Sequence, residues 1–229
     1  MPDHEQNLEE MKAAFKMEWN RPVPEEYDQL SRRANFVPLP WANYSNRLSW
    51  AWGDGVQEES EPPATREMLR SLIAGKNFVD LGCGIPSKSV AGSMVAEKAG
   101  AKRYIGIEKQ FLEGDDGGIS DMDVKNGMPR VWLKEDMLKG LARFEKLDGV
   151  VFFIAGIEGI PGDEVSSEAL QKYFAHVTEE ITRLTKPGDA VILVGSDLTG
   201  FLLSCDKEFT RLVKENFRDR SHVGVFIRQ

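Results

Sequence analysis

The stretch from Asn77 to Ser89 most constrains what this chain can fold into, because Phe78-Val79-Asp80-Leu81 runs directly into Gly82-Cys83-Gly84-Ile85-Pro86-Ser87. The apolar run reads as a buried strand end, and the paired glycines supply backbone freedom and remove Cβ bulk from the turn. Pro86 suits a first helical position, and the following SKSVAGSMVAEKA places Val90, Met94 and Val95 on one apolar face. The next apolar run, Arg103-Tyr104-Ile105-Gly106-Ile107-Glu108, ends in an acid. That acid follows the turn by roughly 20 residues, a spacing suited to hydrogen bonding the two hydroxyls of a ribose. The unit is β-turn-α-β, with a ligand approaching the main chain of the turn.

Asp80-x-Gly82-x-Gly84 after a strand, followed by Glu108 closing the next, resembles a class I S-adenosylmethionine-dependent methyltransferase from about Thr65 to the C-terminus. The acid two residues before the first glycine discriminates this pattern from dinucleotide-binding folds. The resemblance implies a Rossmann-like class I methyltransferase sandwich: an α/β, mostly parallel sheet of seven strands, or six, with an antiparallel C-terminal strand and helices on both faces. It implies S-adenosyl-L-methionine as cofactor, with Asp80 at its methionine part and Asp136, just past the third strand, at the adenine amino group. The implied binding set is Asp80, Gly82, Cys83, Gly84, Glu108, Lys109, Asp136, Met137 and Ala155. Pro86 departs from the pattern, standing where the family has a third glycine and offering no N–H. Asp136 also reads as a helix cap before Met137 to Phe144.

A chain of 229 residues can bury a sizeable core. The expected division is an N-terminal helical and aromatic arm over 1–62 and a cofactor-binding domain over 63–229. No apolar run nears the roughly 20 residues of a membrane span, and the polar start lacks a signal-peptide core, so the expectation is a cytoplasmic protein with no membrane partner. The formal net charge of −8, with no dense Lys/Arg run, weighs against nucleic acid as substrate. Cys83 and Cys205 have neither metal-ligand spacing nor the density of a disulfide scaffold.

Leu8, Met11, Phe15 and Trp19 mark an amphipathic first helix, and Tyr27 and Leu30 a short second one after Pro24. Trp41, Tyr44, Trp50 and Trp52 then cluster before Gly53-Asp54-Gly55. They read either as an arm packed on the core or as a lid in which Tyr44, Trp50 and Trp52 shield a cationic sulfonium. FLEGDDGGISDMDVKNGMP, before the strand Val131-Trp132-Leu133, reads as a solvated acidic loop, lacking an EF-hand register. Asp148 to Ala155 is a buried parallel strand whose exit, Gly156 to Asp163, falls at the substrate crevice. A helix from Ser167 to Thr185, with Leu170, Tyr173, Phe174, Val177, Ile181 and Leu184 on one face, precedes the strand Ala190 to Gly195. A final helix is expected to carry Phe201, Leu202, Cys205, Phe209, Leu212 and Val213, with a sixth strand short or absent before the alternating end His222 to Ile227.

Methyl transfer from a sulfonium requires alignment and exclusion of water, without triad or metal. None of the three histidines lies at the crevice, leaving Glu158 as the placed carboxylate for a base and Tyr44 as a second candidate. The leading expectation is methyl transfer to a small-molecule acceptor. Alternatives are a protein side-chain acceptor, a nicotinamide-dependent oxidoreductase lacking its second mononucleotide half, and a non-catalytic cofactor-binding scaffold.

Overall fold

The computed structural model describes residues 2–33, 63–84, 90–109, 113–155, 167–195, 209–216 and 222–229. The helices are α1 (Pro2–Glu18), α2 (Glu25–Arg33), α3 (Pro63–Ile73), α4 (Val90–Lys98), α5 (Met137–Ala142) and α6 (Ser167–Leu184). The strands are β1 (Asn77–Leu81), β2 (Arg103–Glu108), β3 (Gly118–Lys125), β4 (Met128–Lys134), β5 (Val150–Ala155), β6 (Ala190–Gly195), β7 (Phe209–Asn216) and β8 (His222–Arg228). They form one 8-stranded sheet in the order β3-β4-β2-β1-β5-β6-β8-β7. The strands from β4 through β6 in that order run parallel; β3 is antiparallel to β4, and β8 to both β6 and β7. This is the expected mostly parallel sheet with an antiparallel C-terminal strand, with seven strands and β3 added at one edge.

Strand alternation divides the apolar side chains into two layers. Val79, Leu81, Ile105, Ile107, Val131, Leu133, Phe152 and Ile154 face a layer made by α1, α2, α5 and α6. The stripe foreseen on α6, including Tyr173, Val177, Ile181 and Leu184, is buried there. Phe78, Tyr104, Trp132, Val151, Phe153 and Ile192 face the other layer, where Leu69 and Ile73 of α3 and Val95 and Ala96 of α4 cover them.

The first 33 residues are part of the first layer. Phe15, Trp19, Tyr27 and Leu30 are buried, and the Trp19 indole N–H donates to the carbonyl of Gly140 on α5 at 2.9 Å. Phe144 meets Phe15 edge-on at 6.0 Å between ring centroids, and the Arg143 guanidinium lies over the Trp19 ring. On α2, Tyr27 donates to Glu180 of α6 at 3.2 Å, and Asp28 pairs with Lys139 of α5 at 2.7 Å. Burial, with the Glu180 charge next, raises the Tyr27 hydroxyl well above its ordinary pKa. Glu180 is itself buried and is neutralised by Arg183 at 2.6 Å and Arg21 at 3.5 Å, as a desolvated carboxylate requires.

Two sequence expectations are corrected. The acidic stretch is a strand for much of its length: β3 and β4 form a hairpin closed at Asn126-Gly127, both with positive φ, with Lys125 opposite Met128. An Asn-Gly pair is a strong two-residue hairpin signal, which the sequence reading did not use. The acids are absorbed by the hairpin: Asp123 pairs with Arg130, Asp116 with Lys134 at 3.7 Å, and Asp121 accepts the Met122 N–H at 2.8 Å. The second correction is at the C-terminus, where Phe209 to Asn216 form β7 in place of the end of a helix, supplying the strand expected to be short or absent. Thr210, Arg211, Val213 and Lys214 pair with β8, so the ladder overrides a helical spacing of apolar residues that suits either structure. Residues 201–208 of that expected helix lie outside the described residues.

Candidate functional site

The sequence-derived turn sits at the carboxyl edge of β1, where open parallel sheets place their ligands. Gly82 and Gly84 have φ of 75° and 71°, values that disfavour side chains. The turn is tied across β2: the Gly82 N–H donates to the Ile107 carbonyl at 2.9 Å, and the Gly84 N–H to Oε2 of Glu108 at 3.2 Å. In turn the Glu108 carbonyl accepts the Glu135 N–H at 3.2 Å, and Asp136 follows. Gly84, Glu108 and the Glu135-Asp136 peptide are thereby linked along the edges of β1, β2 and β4. A Cβ built on Gly84 meets nothing within 4 Å among the described residues, so the turn is open to a close ligand approach there.

Asp80 lies on β1, two residues before Gly82. Its carboxylate is buried and turned into the layer of α3 and α4, accepting the Tyr104 hydroxyl at 2.8 Å and lying against Gly92 of α4. Burial raises its pKa from 3.8 to about 7, opposed by the Tyr104 hydrogen bond and assisted by the Glu108 charge. Gly92 is required by this packing, because a Cβ there would occupy the position of Oδ2 of Asp80.

Cys83 is also buried, its sulfur filling the space above Gly106, where a Cβ would lie 2.7 Å from Sγ. Burial, followed by the charges of Asp80 and Glu108, pushes the thiol well above its ordinary pKa. It is a packing residue of the turn, with suppressed thiolate character.

Asp136 caps α5. Its Oδ1 accepts from the Leu138 N–H at 3.1 Å, the Lys139 N–H at 3.4 Å and the Ser31 hydroxyl at 2.7 Å. The Tyr173 hydroxyl lies 3.2 Å from both carboxylate oxygens, and its own oxygen accepts the Leu138 N–H at 3.4 Å. Burial and then the Asp136 charge hold Tyr173 protonated, well above the ordinary range. The capping reading of Asp136 is therefore met in full, while Oδ2 has the shared Tyr173 hydroxyl as its hydrogen-bond partner among the described residues.

Lys109 follows Glu108 and is half-buried; Met137 opens α5 and packs against the first layer; Ala155 ends β5, beside the strand that carries the turn. Glu158, Tyr44, Trp50, Trp52 and Pro86 lie outside the described residues. The structure adds residues that the sequence reading did not select. Tyr104 and Gly92 hold Asp80, while Ser31 and Tyr173 hold Asp136. Tyr104 and Tyr173 were visible only as members of apolar stripes. Ser31 carried no local signal, because its partner lies 105 positions away.

No protein-family model matches the chain, and no curated protein matches it. Among solved structures it is similar to the pyocyanin biosynthetic protein PhzM, with 15% identity over 72% of this chain and 54% of that one and a TM-score of 0.43. It is similar to TrmN from Thermus thermophilus, with 14% identity over 81% of this chain and 53% of that one and a TM-score of 0.45. It is also similar to a TehB-like SAM-dependent methyltransferase from Corynebacterium glutamicum, with 12% identity over 81% of this chain and 98% of that one, again at 0.45. The chain spans about half the length of the first two. These are distant likenesses; the strand order and the glycine turn at its carboxyl edge identify the architecture as the Rossmann-like class I methyltransferase sandwich.

Proposed function

We propose that this chain binds S-adenosyl-L-methionine across the carboxyl edges of β1, β2 and β4 and transfers its methyl group to a small-molecule acceptor. The observation that carries the reading is the hydrogen bond from the Gly84 N–H to the Glu108 carboxylate, which sets an acid beside a glycine whose Cβ position is clear among the described residues. The residues fit such a ligand: Gly84 leaves room for close approach, Glu108 presents a carboxylate to ribose hydroxyls, and Asp136 stands beyond it for the adenine.

When bound, the sulfonium supplies an electrophilic methyl group with a neutral leaving group. The protein's task is then orientation and exclusion of water. Glu108 positions the ribose and Asp136 the base, fixing the donor at two points. Asp80 acts from within: its buried carboxyl braces Tyr104 and the backbone of α4 beneath the turn. The small-molecule acceptor class rests on the absence of a dense basic run and on the net charge of −8.

Calorimetric titration of the ligand-free protein with S-adenosylmethionine, S-adenosylhomocysteine and NAD tests the donor. The expected result is binding of the first two, weakened on the order of tenfold or more by Glu108→Ala through loss of charge-assisted hydrogen bonds. Binding of NAD alone would overturn the reading. Acceptor screening then follows methyl transfer from labelled donor to small alcohols, amines and thiols against peptide and RNA pools; transfer to the peptides or RNA alone would refute the small-molecule class.

A further inference from the structure

The most distant polar contact at the candidate site joins the N-terminal helices to the acid past β4. Ser31, on α2, is buried, and its hydroxyl donates to Oδ1 of Asp136 at 2.7 Å. Helix capping alone accounts for the N–H donors of Leu138 and Lys139 on that oxygen. It does not call for a hydroxyl from another helix.

The extra donor fixes a direction. With Oδ1 held by Ser31 and the cap amides, and the Tyr173 hydroxyl set equally between both oxygens, the carboxylate cannot rotate without breaking several hydrogen bonds at once. Oδ2 retains acceptor capacity, since a carboxylate oxygen carries two lone pairs and Tyr173 shares a single proton between the two oxygens. An acid clamped in this way is preorganised to receive one more donor from a ligand. Ser31 is held in place in turn: Asp28, on the same helix, pairs with Lys139 of α5, and Tyr27 with Glu180 of α6.

We propose that Ser31 is a positioning residue for the donor's adenine: by securing Oδ1 of Asp136, it aims Oδ2 at the exocyclic amino group and makes α2 part of the cofactor site. This rests on the donor assignment made above. Its consequence is selectivity: the protein distinguishes an amino group from a carbonyl at that position of the purine, and does so through a helix outside the nucleotide-binding unit.

The test compares calorimetric affinities for S-adenosylhomocysteine and its inosine analogue, in which a ring carbonyl replaces the exocyclic amino group. The protein is used in its wild-type, Ser31→Ala and Tyr173→Phe forms, each checked for cooperative thermal unfolding. The wild type is expected to prefer the adenine ligand, and both substitutions to shrink that preference on the order of tenfold, chiefly by weakening the adenine ligand. A merely structural role would weaken both ligands equally and leave their ratio intact, which would overturn the proposal, as would a wild type indifferent to the amino group. Should Ser31→Ala fail to fold, the ratio in Ser31→Cys, which keeps the side-chain shape and weakens the donor, decides. Binding of neither ligand to the wild type would overturn the donor assignment itself, an outcome distinct from binding with an unchanged ratio.

Discussion

Asp80 is buried against Gly92 of α4 and holds its proton to a higher pH than an ordinary aspartate. Its position after a strand and before Gly82 marks it, but its protonation follows from a layer of helices that the local sequence does not contain. With a folded pKa of about 7 against 3.8 for an ordinary aspartate, the native state holds a proton that the unfolded chain has released over the interval between them. Stability contributed by this group is complete below the lower value, declines as pH rises toward about 7, and is level beyond it. At about 1.4 kcal/mol per unit, the decline amounts to a few kcal/mol. Urea unfolding from pH 4 to 8 should therefore show a falling contribution in the wild type that Asp80→Asn lacks, since the amide can still accept the Tyr104 hydroxyl without titrating. Parallel pH profiles for the two proteins would refute the buried, proton-holding Asp80. Glu108 and Asp136 were legible by spacing and by position after a strand, whereas Tyr104, Tyr173 and Ser31 acquire their roles only from partners brought together by the fold.

At the level of elements, α1 behaves as part of the core. Trp19 is buried on Phe15 and Phe144, and its indole N–H satisfies the Gly140 carbonyl. Removing a buried indole costs about 3 to 5 kcal/mol through lost contacts and the cavity left behind. Trp19→Ala should thus lower the denaturation midpoint by that order, whereas Trp19→Phe should lose less because the ring contacts are partly kept. A stability loss below about 0.5 kcal/mol for Trp19→Ala, in the range of surface substitutions, would show that the packing of Trp19 behind α1 is dispensable. The heptad-like spacing of Leu8, Met11, Phe15 and Trp19 announced a helix seeking a partner, and the partner is α5 with its following Phe144. β3 was missed although Asn126-Gly127 marks its turn locally, whereas β7 depends on a neighbouring ladder, and apolar spacing in Phe209 to Val213 does not reveal whether one is present.

For the whole molecule, the donor reading makes a thermodynamic prediction that needs no acceptor. A ligand bound only by the folded state adds about 2.7 kcal/mol at a hundred times its dissociation constant. For a chain of 229 residues this corresponds to a rise in Tm of about 5 to 10 °C. S-adenosylhomocysteine should produce that shift by differential scanning fluorimetry, reduced in Glu108→Ala. No shift at saturating ligand would contradict the donor site. Among the described residues, no helix is long and apolar enough to cross a membrane.

The sequence by itself determined the β-turn-α-β unit, the acid closing β2, the buried strands and the amphipathic faces of α1 and α6. Each is set by local periodicity or by a backbone conformation that few residues tolerate. Only the tertiary structure decided that Asp80 would point inward beneath Gly92, that β7 would join the sheet beside β8, and that Ser31 would reach Asp136. Those outcomes depend on which surfaces meet across long stretches of chain. Burial, hydrogen-bond pairing and proton affinity arise from that meeting, and no local pattern of residues specifies it.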